Sequence, residues 1–206
     1  MNGISGPEII RKLIGRNRVL GGAAYVSAKI EGLGFVRSSN GAGSIIFGES
    51  DGKKSERATG FAEICEAAKI EAKVSLDIES ALWGKTVQLV STAALTVIAR
   101  KLARQLYDDP DIRKLGIKIM KEVVALGTRK GVSISPDIVE KSLTLTDTFP
   151  ADLYSSMYHD LITRKRMEVE GIFGSLQRIG VEVDIPTPRI STVYALFKPY
   201  MNGGNA

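Results

Sequence analysis

Near residue 75 the apolar residues change their spacing, and no single regular architecture accommodates both halves of the chain. Before that point the sequence is glycine-rich. β-Branched or alternating runs lie at 19–30, 34–38 and 44–47, separated by Glu31-Gly32-Leu33 and by Ser39-Asn40-Gly41-Ala42-Gly43. Alternation sends successive side chains to opposite faces of a strand, and glycine-containing breaks supply the turns. These runs predict an antiparallel meander. A short helix over 7–14, capped by Ser5 or Gly6 and stopped by Gly15, is expected before it, and a helix over 55–68 and a further strand over 72–75 after it. From Leu76 onward the period is helical, with helices expected at about 77–105, 111–130, 136–147, 155–180 and 188–200. Asp108-Asp109-Pro110, Lys130-Gly131, Ser135-Pro136 and Ile185-Pro186-Thr187-Pro188 punctuate them as helix starts and stops. The fold class is therefore α+β: a strand-and-helix part over 1–75 and an all-α domain over 76–206.

Composition narrows the partners. With 44% hydrophobic and 25% charged residues, the 206-residue chain can bury a core. The longest apolar stretch, 89–99, is interrupted by Ser91, Thr92 and Thr96 and reads as too short to span a bilayer, so no membrane is expected. The opening MNGISGPEII lacks the pattern of a secretory signal, which makes a cytoplasmic location the expectation. Cys65, the single cysteine, sits in an apolar helical pattern with Phe61, Ile64 and Ala68 and reads as a core thiol. The net charge of +5 and pI near 9.3 come from basic residues mixed with acids along the whole chain. The densest group, Arg164-Lys165-Arg166, is either a solvated helix face or a site for an anion. Nucleic acid is not expected, because no aromatic interleaving accompanies it.

The glycines do not form a phosphate loop. Such a loop needs glycines between a strand and a helix N-terminus, whereas Gly41 and Gly43 lie between two strands and Gly21-Gly22 inside one, where hairpin and bulge roles are expected. His159 is the only histidine, so neither a triad nor a histidine-rich metal site can be assembled. Lys85 is the notable charge: it follows Ala81, Leu82 and Trp83, and no other charged residue occurs until Arg100. On a helix its neighbours are Gln88, Leu89, Thr92 and Thr96. It is either a lysine snorkelling at a helix start or a functional ammonium. Ser155-Ser156-Met157 precedes a helical run and suits a cap. Glu168 lies twelve residues beyond Ser156, about 120° round an ideal helix, so the two need not share a face.

In order and spacing these segments resemble the ketopantoate reductase family. The residues that carry the likeness are Trp83-Gly84-Lys85, Ser155-Ser156-Met157-Tyr158-His159-Asp160, Arg164-Lys165-Arg166-Met167-Glu168, and Pro186-Thr187-Pro188 with Tyr194. Asn2-Gly3 and Arg18-Val19-Leu20-Gly21-Gly22 extend it to the front of the chain. The resemblance implies that residues 1–75 are the last antiparallel strands and helix of an incomplete Rossmann-type domain. It implies that 76–206 form the substrate and dimerisation domain. By the same resemblance Lys85 is the general acid toward a small 2-keto acid, with NADPH as hydride donor. Glu168 would orient Lys85 or bind a substrate hydroxyl, Ser156 the substrate carboxylate, and Asn2 would lie where nicotinamide and substrate meet. Gln88 and Thr92 would join the substrate site. A homodimer is also implied.

Two departures qualify those expectations. Family members acting on ketopantoate carry asparagines four and eight residues after the lysine, where this chain has Leu89 and Ala93. A less polar 2-keto acid is expected in consequence. The family's opening βαβ units and their dinucleotide loop have no counterpart ahead of Asn2, so the isolated chain is expected to bind NADPH poorly and to be inactive by itself. The alternative is a non-catalytic helical dimerisation or binding protein that keeps the fold.

Overall fold

The computed structural model describes residues 2–38 and 43–203. Of the expected loop over 39–43, only Gly43 falls within them. Two compact units emerge. One is Pro7–Leu82; the other is Trp83 onward together with the segment ending at Gly6.

The first unit begins inside α1 (Gly6–Ile14), which stops at Gly15 with φ +94°. Strands β1 (Gly21–Tyr25), β2 (Ala28–Gly32), β3 (Phe35–Ser38) and β4 (Ser44–Gly48) follow, then α2 (Glu56–Ala67) and β5 (Glu71–Val74). They do not form the expected meander. β1 passes over its successors to pair antiparallel with β4, from Gly21↔Gly48 to Tyr25↔Ser44, and β4 pairs parallel with β5. β2 and β3 make a separate two-stranded ribbon, so the run over 19–30 is two strands and not one. The parallel pairing has a plain cause. α2 carries the chain back from the end of β4, and a helical crossover returns the next strand in the same direction. No bulge interrupts Gly21-Gly22, which lie in register with Gly48 and Phe47; the irregularity falls at Ile30/Gly32.

Local polar groups fix the start of α2. Ser55 caps it by accepting from the Ala58 N–H, and its hydroxyl donates to Glu49. Arg57 holds both oxygens of Glu49, at 2.7 and 2.6 Å. Together the Arg57 guanidinium and the Ser55 hydroxyl pull the Glu49 carboxyl down to about 2. Cys65 is buried and free, as a core thiol should be.

The second unit is helical. α3 (Ile78–Ala99) starts in the first unit and runs from Trp83 onward through this one; α4 (Ala103–Tyr107), α5 (Pro110–Arg129), α6 (Ile138–Asp147), α7 (Ser156–Ile162), α8 (Ser175–Val183) and α9 (Pro188–Phe197) complete it. Its core takes Val87, Val90 and Ala94 from α3, Met120, Val123 and Leu126 from α5, Leu176 from α8 and Ile190 from α9, together with the fully buried Phe173. Each such side chain removed from water contributes about 1.5–3 kcal/mol, less for alanine. At 22 residues α3 is long and apolar enough to cross a membrane, contrary to the sequence expectation, yet 67% of that apolar window is buried within the protein. That is how a core helix of a globular unit behaves.

Two expected helices are broken. The one over 77–105 ends at Arg100, whose φ of +52° reverses the chain, and resumes as α4. The one over 155–180 ends at Ile162. Arg164 takes φ +56°, and the chain is non-helical until it re-enters through a wide π-type turn, Glu170–Gly174, continuous with α8. Periodicity survives both breaks because the flanking segments bury the same core; only the backbone reversal distinguishes them.

Candidate active site

Lys85 lies in the second turn of α3. Asp77 secures that helix start by accepting from the Ser80 N–H and hydroxyl, at 3.0 and 2.7 Å. Thr92 and Thr96 fall within about 20° of the Lys85 direction at 100° per residue, and Gln88 about 60° to one side. The Lys85 side chain is half-buried. Burial lowers its pKa from the usual lysine value, and the negative charge of Glu168 opposes the shift. Lys85 and Glu168 are therefore electrostatically coupled, although 83 residues separate them in sequence.

Glu168 reaches this position because its neighbours are pinned. The Met167 N–H donates to the Met201 carbonyl at 3.0 Å, and Val169 is fully buried. Asn2 meets the carboxylate from the opening segment: its backbone N–H donates to Oε1 and its side-chain amide to Oε2, each at 3.3 Å. Asp160, from α7, shares the same field. Its carboxyl is raised, mainly by burial and partly by Glu168, against the pull of His159 and Lys165. Glu168, held by Asn2, thus acts through its charge on both Lys85 and Asp160.

Further along α3 the polar groups form a buried network. The Gln88 amide donates to Thr92 Oγ1 at 3.2 Å; the Tyr107 hydroxyl lies 2.7 Å from Ser91 Oγ and 3.5 Å from Thr92 Oγ1. Thr96 Oγ1 is 2.7 Å from Ser155 Oγ, and Ser155 caps α7 by accepting from the Tyr158 N–H. Ser156, singled out in the sequence, is exposed at the first position of α7, beside the residue that caps it. Leu89 and Ala93 pack on the core, Ala93 being 2% exposed. The polar stripe of α3 therefore runs through Gln88, Ser91, Thr92 and Thr96.

Sequence reasoning missed Tyr107, Ser91 and Ser155 as members of this network, since a hydroxyl gives no sign of its partner until the fold supplies one. Asp160 did leave a signal, because it closes the Ser155–Asp160 segment. His159 stacks on Tyr154, with ring centroids 5.9 Å apart. Arg164, Lys165 and Arg166 are exposed. Among the described residues no group of histidine, cysteine, aspartate and glutamate could hold a metal ion.

The helical unit thus carries a half-buried lysine under the charge of a carboxylate that an amide holds. Comparison with known proteins agrees on the family. The family model described as the C-terminal part of ketopantoate reductase PanE/ApbA matches residues 77–201, and the chain belongs to that family. It is 28% identical over 198 residues to the 2-dehydropantoate 2-reductase of Mesorhizobium japonicum, covering 96% of this chain and 60% of that protein. It is 30% identical over 185 residues to that of Archaeoglobus fulgidus, covering 89% and 60%. The crystal structure of the Geobacter metallireducens enzyme superposes with a TM-score of 0.89 at 26% identity, covering 96% of this chain and 66% of that one. The chain thus spans less than two thirds of the length of these relatives.

Proposed function

We propose that this chain is the substrate-binding and proton-donating part of a reductase that acts on a small 2-keto acid with NADPH. The coupling of half-buried Lys85 to Glu168, itself held by Asn2, carries this reading. Reduction of a ketone adds hydride to carbon and a proton to oxygen. Lys85 would donate that proton from its ammonium, become neutral, and recover a proton from solvent; its lowered pKa brings donor strength closer to neutral pH. Glu168 would hold the ammonium in reach, with Asn2 fixing the carboxylate. Gln88 and Thr92 would face the substrate, and Ser156 would receive its carboxylate.

The residues present do not fit the nucleotide itself. Pyrophosphate is cradled by backbone N–H groups at a glycine-rich turn opening a helix. The G-x-G-x-x-G spacing occurs nowhere in this sequence. The hydride would have to come from NADPH held by a nucleotide-binding part outside this sequence, with Asn2 alone at its edge. Leu89 and Ala93, both turned to the core, favour a keto acid less polar than ketopantoate. Self-association into a homodimer belongs to the same reading, since Ile30, Leu33, Phe35 and Val36 leave the β2–β3 ribbon apolar and exposed.

The test is a fusion of this chain behind the nucleotide-binding part of a relative, assayed for NADPH oxidation with a series of 2-keto acids. Turnover is expected, with Lys85→Ala reducing kcat by roughly 10²–10⁴-fold. Turnover unaffected by Lys85→Ala overturns the assignment. Absence of turnover in a folded fusion favours the non-catalytic reading.

A further inference from the structure

The opening residues lie on the helical unit as a strap whose geometry depends on one position. Gly3 has φ +89°, a conformation that side chains of L-residues rarely adopt. A Cβ there would stand 2.8 Å from the carbonyl oxygen of Gly171 and 3.6 Å from Ile172 Cγ1, too close to the first for any real side chain. The contact is with backbone, which cannot move aside as the end of a flexible side chain could. On either side of Gly3 the strap is fastened. Asn2 donates twice to Glu168, Ile4 packs against the core, and the Ser5 hydroxyl donates to the Gly171 carbonyl at 3.4 Å.

The surface beneath it is the wide turn Glu170–Gly174, which starts two residues after Glu168. Such turns insert a residue into a helix and are often found at functional sites. Here the turn presents the Gly171 carbonyl, which also accepts from Ser175 Oγ at 2.7 Å, to the strap. Close approach at Gly3 therefore sets how far Asn2 extends over Glu168. Both Asn2 bonds are long, so a displacement of a few tenths of an ångström at Gly3 would take them beyond hydrogen-bonding range.

We propose that Gly3 is a positioning residue of the site. Seated on the Gly171 carbonyl, it delivers both Asn2 donors to Glu168 and so fixes that carboxylate. The ligand arm of the test rests on the proposed function; the geometric arm does not. In a ¹⁵N-labelled chain the Asn2 side-chain amide is assigned by its loss in Asn2→Ala. Gly3→Ala is expected to move that amide to the position of a free one and to weaken binding of 3-methyl-2-oxobutanoate about tenfold. D-Alanine placed at position 3 by semisynthesis favours the positive φ and turns its Cβ away from Gly171, so it is expected to keep both properties. Ser5→Ala, which puts no strain on the backbone, is expected to move the amide part of the way. The proposal is overturned if the Asn2 amide stays at its wild-type position in both Gly3→Ala and Ser5→Ala, or if D-alanine displaces it as fully as L-alanine. A wild-type chain that binds no 2-keto acid would count against the proposed function, while the amide positions would still decide the role of Gly3.

Discussion

Removing the Glu122 carboxylate should destabilise the helical unit by an amount its bonding allows us to work out. α9 begins at Pro188 after Thr187, whose side chain makes no capping bond. Proline has no N–H, so the orphan donors of the first turn are those of Arg189 and Ile190. Glu122, on α5 and 7% exposed, accepts from both: Oε1 from the Arg189 N–H at 3.1 Å and Oε2 from the Ile190 N–H at 3.0 Å. A residue more than sixty positions away thus performs the task of an N-cap. The Arg189 guanidinium adds a bond of 2.9 Å, but its side chain is 39% exposed, so that pair contributes only about 0–1 kcal/mol. The two backbone bonds to a charged acceptor contribute about 1–2 kcal/mol apiece. Glu122→Ala should therefore cost about 3 kcal/mol. Glu122→Gln keeps one acceptor and should cost about half as much. Urea unfolding followed by the fluorescence of Trp83, the only tryptophan and 6% exposed, reports on this unit. With a slope of about 2 kcal/mol per molar, the Ala variant should lose about 1.5 M in midpoint. A loss under about 0.3 M, or equal losses for Ala and Gln, would refute the capping argument.

Other outcomes follow from the same geometry. Glu168 opposes the downward shift of Lys85, so Glu168→Gln should lower the Lys85 titration midpoint further, as read by NMR of its Nζ or Cε. Because the folded lysine binds fewer protons than the unfolded one between its lowered midpoint and 10.5, stability should rise with pH across that window, and the variant should widen it downward. An upward shift on removing Glu168 would contradict the coupling. Gly127→Ala places a Cβ on Ile134 Cδ1 and 2.8 Å from Trp83 Cε3; a cost of about 1–3 kcal/mol by urea unfolding is expected, and a neutral result would mean that this core has slack. Thr92→Val removes the partner of Gln88 and one partner of Tyr107. It should weaken binding of a 2-keto acid and, because Tyr107 keeps Ser91 as a partner, cost about 1 kcal/mol by urea unfolding; unchanged affinity would take Gln88 out of the substrate site.

Periodicity made the helical unit legible, since apolar spacing records which face is buried: the α5 and α9 segments lie within a few residues of their expected bounds. It did not reveal the breaks after Ala99 and Ile162, because Arg100 and Arg164 reverse the chain at positive φ without glycine to announce it. The strand pairing was hidden for a related reason: alternation shows that a segment is a strand, while the choice of β4 over β2 as partner for β1 depends on contacts distant in sequence. The same division holds at the site. An isolated charge in an apolar run already singled out Lys85, because burying an ammonium without use is costly. Spacing alone could not bring Glu168 to it. Asn2 and Glu168 meet across 166 positions because the opening segment folds onto the helical unit, and Leu89 and Ala93 turn to the core because of what packs against α3. Local chemistry determined which residues have something to satisfy; the tertiary fold decided what satisfies them, since a hydrogen bond or a charge acts through distance in space and not along the chain.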